Sequence, residues 1–140
     1  MLSLFALALL VGDGSAPCPG VTTIAVNGCL AADLDRADAV LNRYYDAAVR
    51  RVRTDDGDTV ALGLVAAERV WLSYRDQECN AVFDRFRGGT IRTAVEIACR
   101  IRLTRLRTYV IWRNWLTYAD STPPLLPRPA VKDALADGRG

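Results

Sequence analysis

Trp71-Leu-Ser-Tyr74-Arg75-Asp76-Gln-Glu-Cys79 is answered by Cys99-Arg-Ile-Arg-Leu-Thr104-Arg-Leu-Arg107 beyond the pair Gly88-Gly89. Cys79 stands nine residues before Gly88 and Cys99 ten residues after Gly89, so two helical arms would bring the thiols nearly level. At 1.5 Å of rise per residue each lies roughly 14 Å from the turn. A disulfide needs Cα atoms within about 7 Å, a distance that side-by-side helices reach. The stretch therefore reads as a stapled helical hairpin.

The segment before this stretch repeats apolar residues every three to four positions. Leu34, Ala37, Leu41, Tyr44, Ala48 and Val52 form one stripe from Asp33 to Arg53, with Asp33 placed to cap the helix. Thr54-Asp55-Asp56-Gly57-Asp58 breaks this pattern, and Asp58 or Thr59 can open the next helix. That helix runs to about Phe86, with Leu64, Ala67, Trp71, Tyr74, Val82 and Phe86 facing inward beside Cys79. Thr90 would then cap a third helix reaching Tyr118, whose facing stripe is Val95, Cys99, Leu103, Leu106 and Val110. No proline falls between Val21 and Thr122 and no β-branched alternation appears there, so the expectation is an all-α fold. It consists of a helical hairpin plus an N-terminal helix, a three-helix bundle stapled by two disulfides.

Cys18, Cys29, Cys79 and Cys99 allow three connectivities. The level hairpin favours Cys79 with Cys99, which leaves Cys18 with Cys29 to anchor an otherwise irregular N-terminal segment. An even cysteine count in a small chain fits an oxidising compartment. Zinc is disfavoured, because the sequence has no histidine and no Cys-x-x-Cys spacing. Met1 to Val11 is nearly unbroken apolar sequence of signal-peptide length, and Gly14-Ser15-Ala16 offers small residues for cleavage, although no basic residue precedes the apolar run. The expected organisation is a signal segment over 1–16, a helical domain over 17–118 and a tail over 119–140. The tail holds four prolines between Ser121 and Pro129 and is expected to be disordered. The mature protein would be secreted or periplasmic and have no transmembrane span.

Asp38-x-x-Leu41-Asn42-x-x-Tyr45, Trp71-x-x-Tyr74-Arg75-Asp76-x-x-Cys79, Gly88-Gly89-Thr90 and Cys99 with Thr104 and Arg107 together resemble the family of the lysozyme inhibitor LprI, a small exported bacterial domain. The resemblance extends from about Cys18 to Trp112. It implies a helical, disulfide-bonded envelope domain and, for at least one member, inhibition of lysozyme. Ser15-Ala16-Pro17 before Cys18 departs from a lipid-attachment sequence, so Cys18 reads as a disulfide partner instead.

Within that pattern, Asp38, Asn42, Tyr45, Trp71, Tyr74, Arg75, Asp76, Thr104 and Arg107 are expected mainly to hold helices together. Arg75, for instance, could pair with Glu68 or Glu96. Lysozymes that attack bacterial walls are commonly basic, whereas this chain carries a formal charge of +2, and like charge slows association. An inhibitor would need a local acidic patch, for which the candidates are Asp33, Asp35 and Asp38, or Asp55, Asp56 and Asp58. Catalysis is not expected, because histidine, the usual general base, is absent and the cysteines belong in bridges. No cofactor is expected. Lys132 is the one lysine among 18 basic residues, and Arg85, Arg87, Arg92, Arg100, Arg102, Arg105, Arg107 and Arg113 crowd the hairpin. This supports a second reading, an envelope module that binds anionic glycopolymer or lipid; nucleic acid is not an expected partner of an exported chain.

Overall fold

Thr22 opens the first helix: its Oγ1 accepts a hydrogen bond from the Ala25 N–H at 3.2 Å. The structure, a computed structural model, describes residues 18–131, and over these α1 spans Thr23–Asp55, α2 Asp58–Arg85 and α3 Arg92–Trp115. The expected all-α bundle is present with both of its disulfides, Cys18–Cys29 and Cys79–Cys99. The proposed signal segment lies outside the described residues.

α1 begins at Thr23 rather than at Asp33, which therefore sits inside the helix instead of capping it. No proline interrupts residues 23–32, so the Thr22 cap wins and Cys29 becomes helical. The Cys18–Cys29 bridge then ties the incoming chain to the first turns of α1, at a Cα separation of 5.7 Å. At the other end, the N–H groups of Asp56 and Gly57 both donate to Val52 O, at 2.8 and 3.0 Å. Gly57 adopts φ +91°, a conformation that glycine reaches without strain, and it also occupies the cap position of α2. Asp58 is thus the first helical residue, not the cap. Likewise, α3 starts at Arg92 with Ile91 in the cap position, and Thr90 lies in the turn.

α3 ends at Trp115, short of Tyr118. Arg51 of α1 reaches across to its last carbonyls, donating from Nη1 to Trp115 O at 2.8 Å and Thr117 O at 2.9 Å. Its guanidinium lies 4.1 Å from the centre of the Tyr118 ring. A cation there complements the negative end of the helix dipole.

The order is up-down-up, so α1 and α3 run parallel and α2 antiparallel to both. Leu41, Tyr44, Ala48 and Val52 of α1 meet Ala61 and Leu64 of α2 and Ile111, Trp112 and Leu116 at the end of α3. Complete burial of side chains such as Ile111, Leu116 and Val52 is worth about 1.5 to 3 kcal/mol each. Cys79 and Cys99 are buried and their Cα atoms lie 5.6 Å apart, so the hairpin arms are level as the spacing requires.

Two of the stripes are rotated relative to expectation. On α3 the buried line runs through Cys99, Ile101, Thr104, Thr108, Ile111 and Trp112, while Val110 is 40% exposed. Two threonines inside an apolar line become possible because their hydroxyls are satisfied. Thr108 Oγ1 donates to Thr104 O, and Thr104 Oγ1 accepts from Arg75. On α2, Ala67 and Tyr74 face outward and Glu68 faces inward, because Arg107 of α3 waits there to pair with it.

The proline-rich segment, expected to be disordered, is docked as far as Arg128. Leu125 N–H donates to Leu116 O at 2.9 Å, Trp112 Nε1 to Leu126 O at 2.9 Å, and Tyr44 Oη to Pro127 O at 2.6 Å. Leu126 packs on the core, and Arg128 covers the rings of Tyr109 and Trp112. Prolines remove donors but leave carbonyls free, and two buried aromatic donors capture those carbonyls.

Candidate functional site

Arg75 joins all three helices. From α2, its Nη1 donates to Asp38 Oδ1 of α1 at 2.6 Å and to Thr104 Oγ1 of α3 at 2.7 Å. The acid that it takes is Asp38, not the expected Glu68 or Glu96. Glu68 instead accepts from Arg107 Nε at 2.9 Å, and Glu96 accepts from Arg100 one helical turn later. The Trp71 ring meets both guanidiniums, with Arg75 5.1 Å and Arg107 5.8 Å from its centre. Asp38, Trp71, Arg75, Thr104 and Arg107 thus form one connected unit.

Asp76 belongs to a second unit beside the Cys79–Cys99 bridge. It pairs with Arg100, which also holds Glu96 and donates from Nη2 to Asn80 Oδ1 at 3.1 Å. Burial disfavours the charged Arg100, but the hydrogen bonds that it donates to Glu96 and Asp76 outweigh this and its pKa is raised.

Beside the first unit, α1 and α2 enclose a groove of about 470 Å³. Asn42, Tyr45 and Arg69 line it above the ion pairs of Arg75 and Glu68, with Leu41, Val65 and Leu72 as apolar walls. Asn42 and Tyr45 do not form the interhelical hydrogen bonds expected of them; Asn42 is exposed. Burial raises the pKa of the Tyr45 hydroxyl, helped by the Glu68 carboxylate and opposed by Arg69. Tyr74, the remaining residue of the pattern, is 51% exposed.

The two acidic clusters differ in what they have left to offer a partner. Asp33 is 14% exposed and receives both Nη2 bonds of Arg105, and Asp38 is held by Arg75. Asp35 alone of that cluster is exposed. Around the α1–α2 turn, Asp55 and Asp58 make exposed pairs with Arg51 and Arg53, and Asp56 is exposed without an ion pair among the described residues. The α3 arginines show the reverse sorting, since Arg100, Arg105 and Arg107 are taken by acids. Asp33 with Arg105, and Arg51 on the α3 terminus, were not foreseen; the four-residue spacing of Arg51 from Asp55 was the one visible hint.

Residues 16–110 match the sequence family described as Lysozyme inhibitor LprI. An uncharacterized protein of Rhizobium meliloti (strain 1021) is 33% identical over 97 residues, covering 63% of this chain and 70% of that protein. No solved structure matches the chain. The matched residues contain both disulfides and the whole Arg75 unit, and the chain belongs to the lysozyme inhibitor LprI family.

Proposed function

We propose that this protein is exported to the cell envelope, secreted or periplasmic, and inhibits a lysozyme by binding it. Family membership carries this reading. Two disulfides suit an oxidising compartment, and no helix among the described residues is long and apolar enough to cross a membrane.

The contact surface that suits a basic partner best is the end of the bundle carrying Asp55, Asp56 and Asp58. Its pairs with Arg51 and Arg53 are solvent-exposed and worth little, so a partner cation can displace them. Asp120 adds charge in the segment after α3: the Thr122 hydroxyl and N–H lower its pKa and keep it ionised. Asp33 and Asp38 already serve the interior, which leaves less for a partner to take.

A continuous arginine stripe along α3, the basis for reading the domain as a glycopolymer binder, is weakened because Arg100, Arg105 and Arg107 are committed to Glu96, Asp33 and Glu68. The deciding experiment is lysis of a peptidoglycan suspension by several lysozymes with and without the oxidised protein. Slowed lysis supports the reading, and no slowing at micromolar protein refutes it. Asp55→Asn with Asp56→Asn and Asp58→Asn should weaken inhibition at low salt and much less at high salt. An effect independent of salt would move the contact elsewhere.

A further inference from the structure

The two ends of the bundle differ in their charge pattern. At one end Asp55, Asp56 and Asp58 stand among Arg50, Arg51 and Arg53. At the other stands the hairpin turn, where Arg85, Arg87 and Arg92 are exposed and enter no ion pair among the described residues, and where Asp84 is the single acid between Val82 and Val95. The start of α1 lies at this same end. Asp33 meets Arg105, so walking back ten residues to Thr23 and thirteen to Arg92 along parallel helices brings both to nearly one level, about 5 Å apart along the axis.

That end is also apolar. Val21 is 104%, Ile24 86% and Ile91 52% exposed, and residues 18–32 carry no charged side chain. Phe83 and Phe86 lie half-buried beneath, with Arg92 5.0 Å over the first ring and Arg85 5.8 Å over the second. The guanidiniums themselves lie over the ring faces, and both arginines remain exposed to solvent. Both disulfides brace this half of the molecule, Cys18–Cys29 at the start of α1 and Cys79–Cys99 across the hairpin.

We infer that the hairpin-turn end docks on an anionic phospholipid leaflet, with Arg85, Arg87 and Arg92 at the headgroups and Ile91, Ile24 and Val21 in the interfacial layer. Charge complementarity selects an anionic occupant. The exposed aliphatic side chains then select a leaflet over a hydrated glycopolymer, which offers charge but nothing apolar. The arrangement does not rest on lysozyme inhibition. If both hold, docking turns the end carrying Asp55, Asp56 and Asp58 outward.

Each surface cation adds roughly fivefold to the affinity for an anionic leaflet, so the three arginines together supply on the order of a hundredfold. The test is sedimentation of the oxidised protein with phosphatidylglycerol-containing vesicles and with pure phosphatidylcholine vesicles, across salt. Binding to the first alone, weakened by salt, is expected. Replacing all three arginines by serine should lose about a hundredfold. Ile91→Ser should weaken binding while leaving its salt dependence unchanged, and Arg102→Ser, away from this end, should bind as the parent does. Circular dichroism checks that the variants fold. Absence of binding, equal binding to both vesicle types, or full binding by the triple variant overturns the inference. So does an Ile91→Ser variant that binds normally, which would mean a purely ionic contact suited to a polymer.

Discussion

Replacing Arg75 by methionine keeps the stem that crosses the bundle but removes the group that ties α1 and α3 to α2. Two interactions disappear: the 2.6 Å bond to Asp38 and the 2.7 Å bond to Thr104. A hydrogen bond to a charged group is worth about 1.5 to 3 kcal/mol, but the Asp38 side chain is 38% exposed, so solvent screening reduces its share to about 1 kcal/mol. The Thr104 hydroxyl is fully buried, and loss of its donor costs about 1 to 2 kcal/mol, because only a 3.3 Å contact to Asp38 remains. The expected loss is therefore about 2 to 3 kcal/mol, on the order of 10 °C in Tm. Urea unfolding of Arg75→Met, Asp38→Asn and the double variant should show coupling of about 1 kcal/mol between the two sites. The folded fraction should inhibit as well as the parent. A loss below about 0.5 kcal/mol would refute the structural role. A stable variant that no longer inhibits would place Arg75 at the partner surface instead.

Three further outcomes follow from the same geometry. Ending the chain after Tyr118 removes the carbonyls that receive Tyr44 and Trp112, together with Leu126; it should cost about 2 to 4 kcal/mol and shift tryptophan emission to the red, and an unchanged Tm would mean that the segment contributes nothing. Replacing Cys79 and Cys99 by alanine opens a loop with a sequence separation of 20 and should cost about 3 kcal/mol from chain entropy, against slightly less for Cys18 and Cys29 at a separation of 11; the reverse order in thermal unfolding would contradict this ranking. The Tyr45 pKa is raised in the folded protein, so its contribution to stability is complete below pH 10 and is lost as pH rises through the folded value; Tyr45→Phe should flatten that alkaline decline, and an identical profile would argue against it.

The hairpin was legible because cysteine spacing around Gly88-Gly89 is a metric statement, and the α1 stripe was legible because its polar face is plainly polar. α2 is different. Val60 to Ala67 contains no polar residue, so the pattern of that stretch does not say which side turns inward, and the pairing of Glu68 with Arg107 could not be read from it. Thr104 and Thr108 misled in the opposite sense, since polar side chains can be buried when a neighbour satisfies them, and that neighbour lies 29 residues away from Thr104. The docked segment after α3 was hidden for a similar reason: proline composition reports what the chain cannot donate, not which distant tyrosine or tryptophan will donate to it. Within the candidate site, the residues of the family pattern could be named from the sequence, but which acid each arginine takes depends on helix rotation.

The placement of the two disulfides has a consequence for how the molecule can come apart. Cys18–Cys29 closes within the α1 segment and Cys79–Cys99 closes within the hairpin, so no covalent bond other than the chain through Gly57 joins the two. The oxidised hairpin stays joined covalently, whereas α1 is held to it by the packing of Leu41, Tyr44, Ala48 and Val52, by Arg75, by Asp33 with Arg105, by Arg51 and by the bond from Tyr44 to Pro127 O. Unfolding therefore has a natural seam. Amide exchange in α1 should proceed through an opening that leaves α2 and α3 paired, and at high concentration a released α1 can complete the hairpin of a second molecule, giving a swapped dimer that reuses the native packing outside the turn at Asp56 and Gly57.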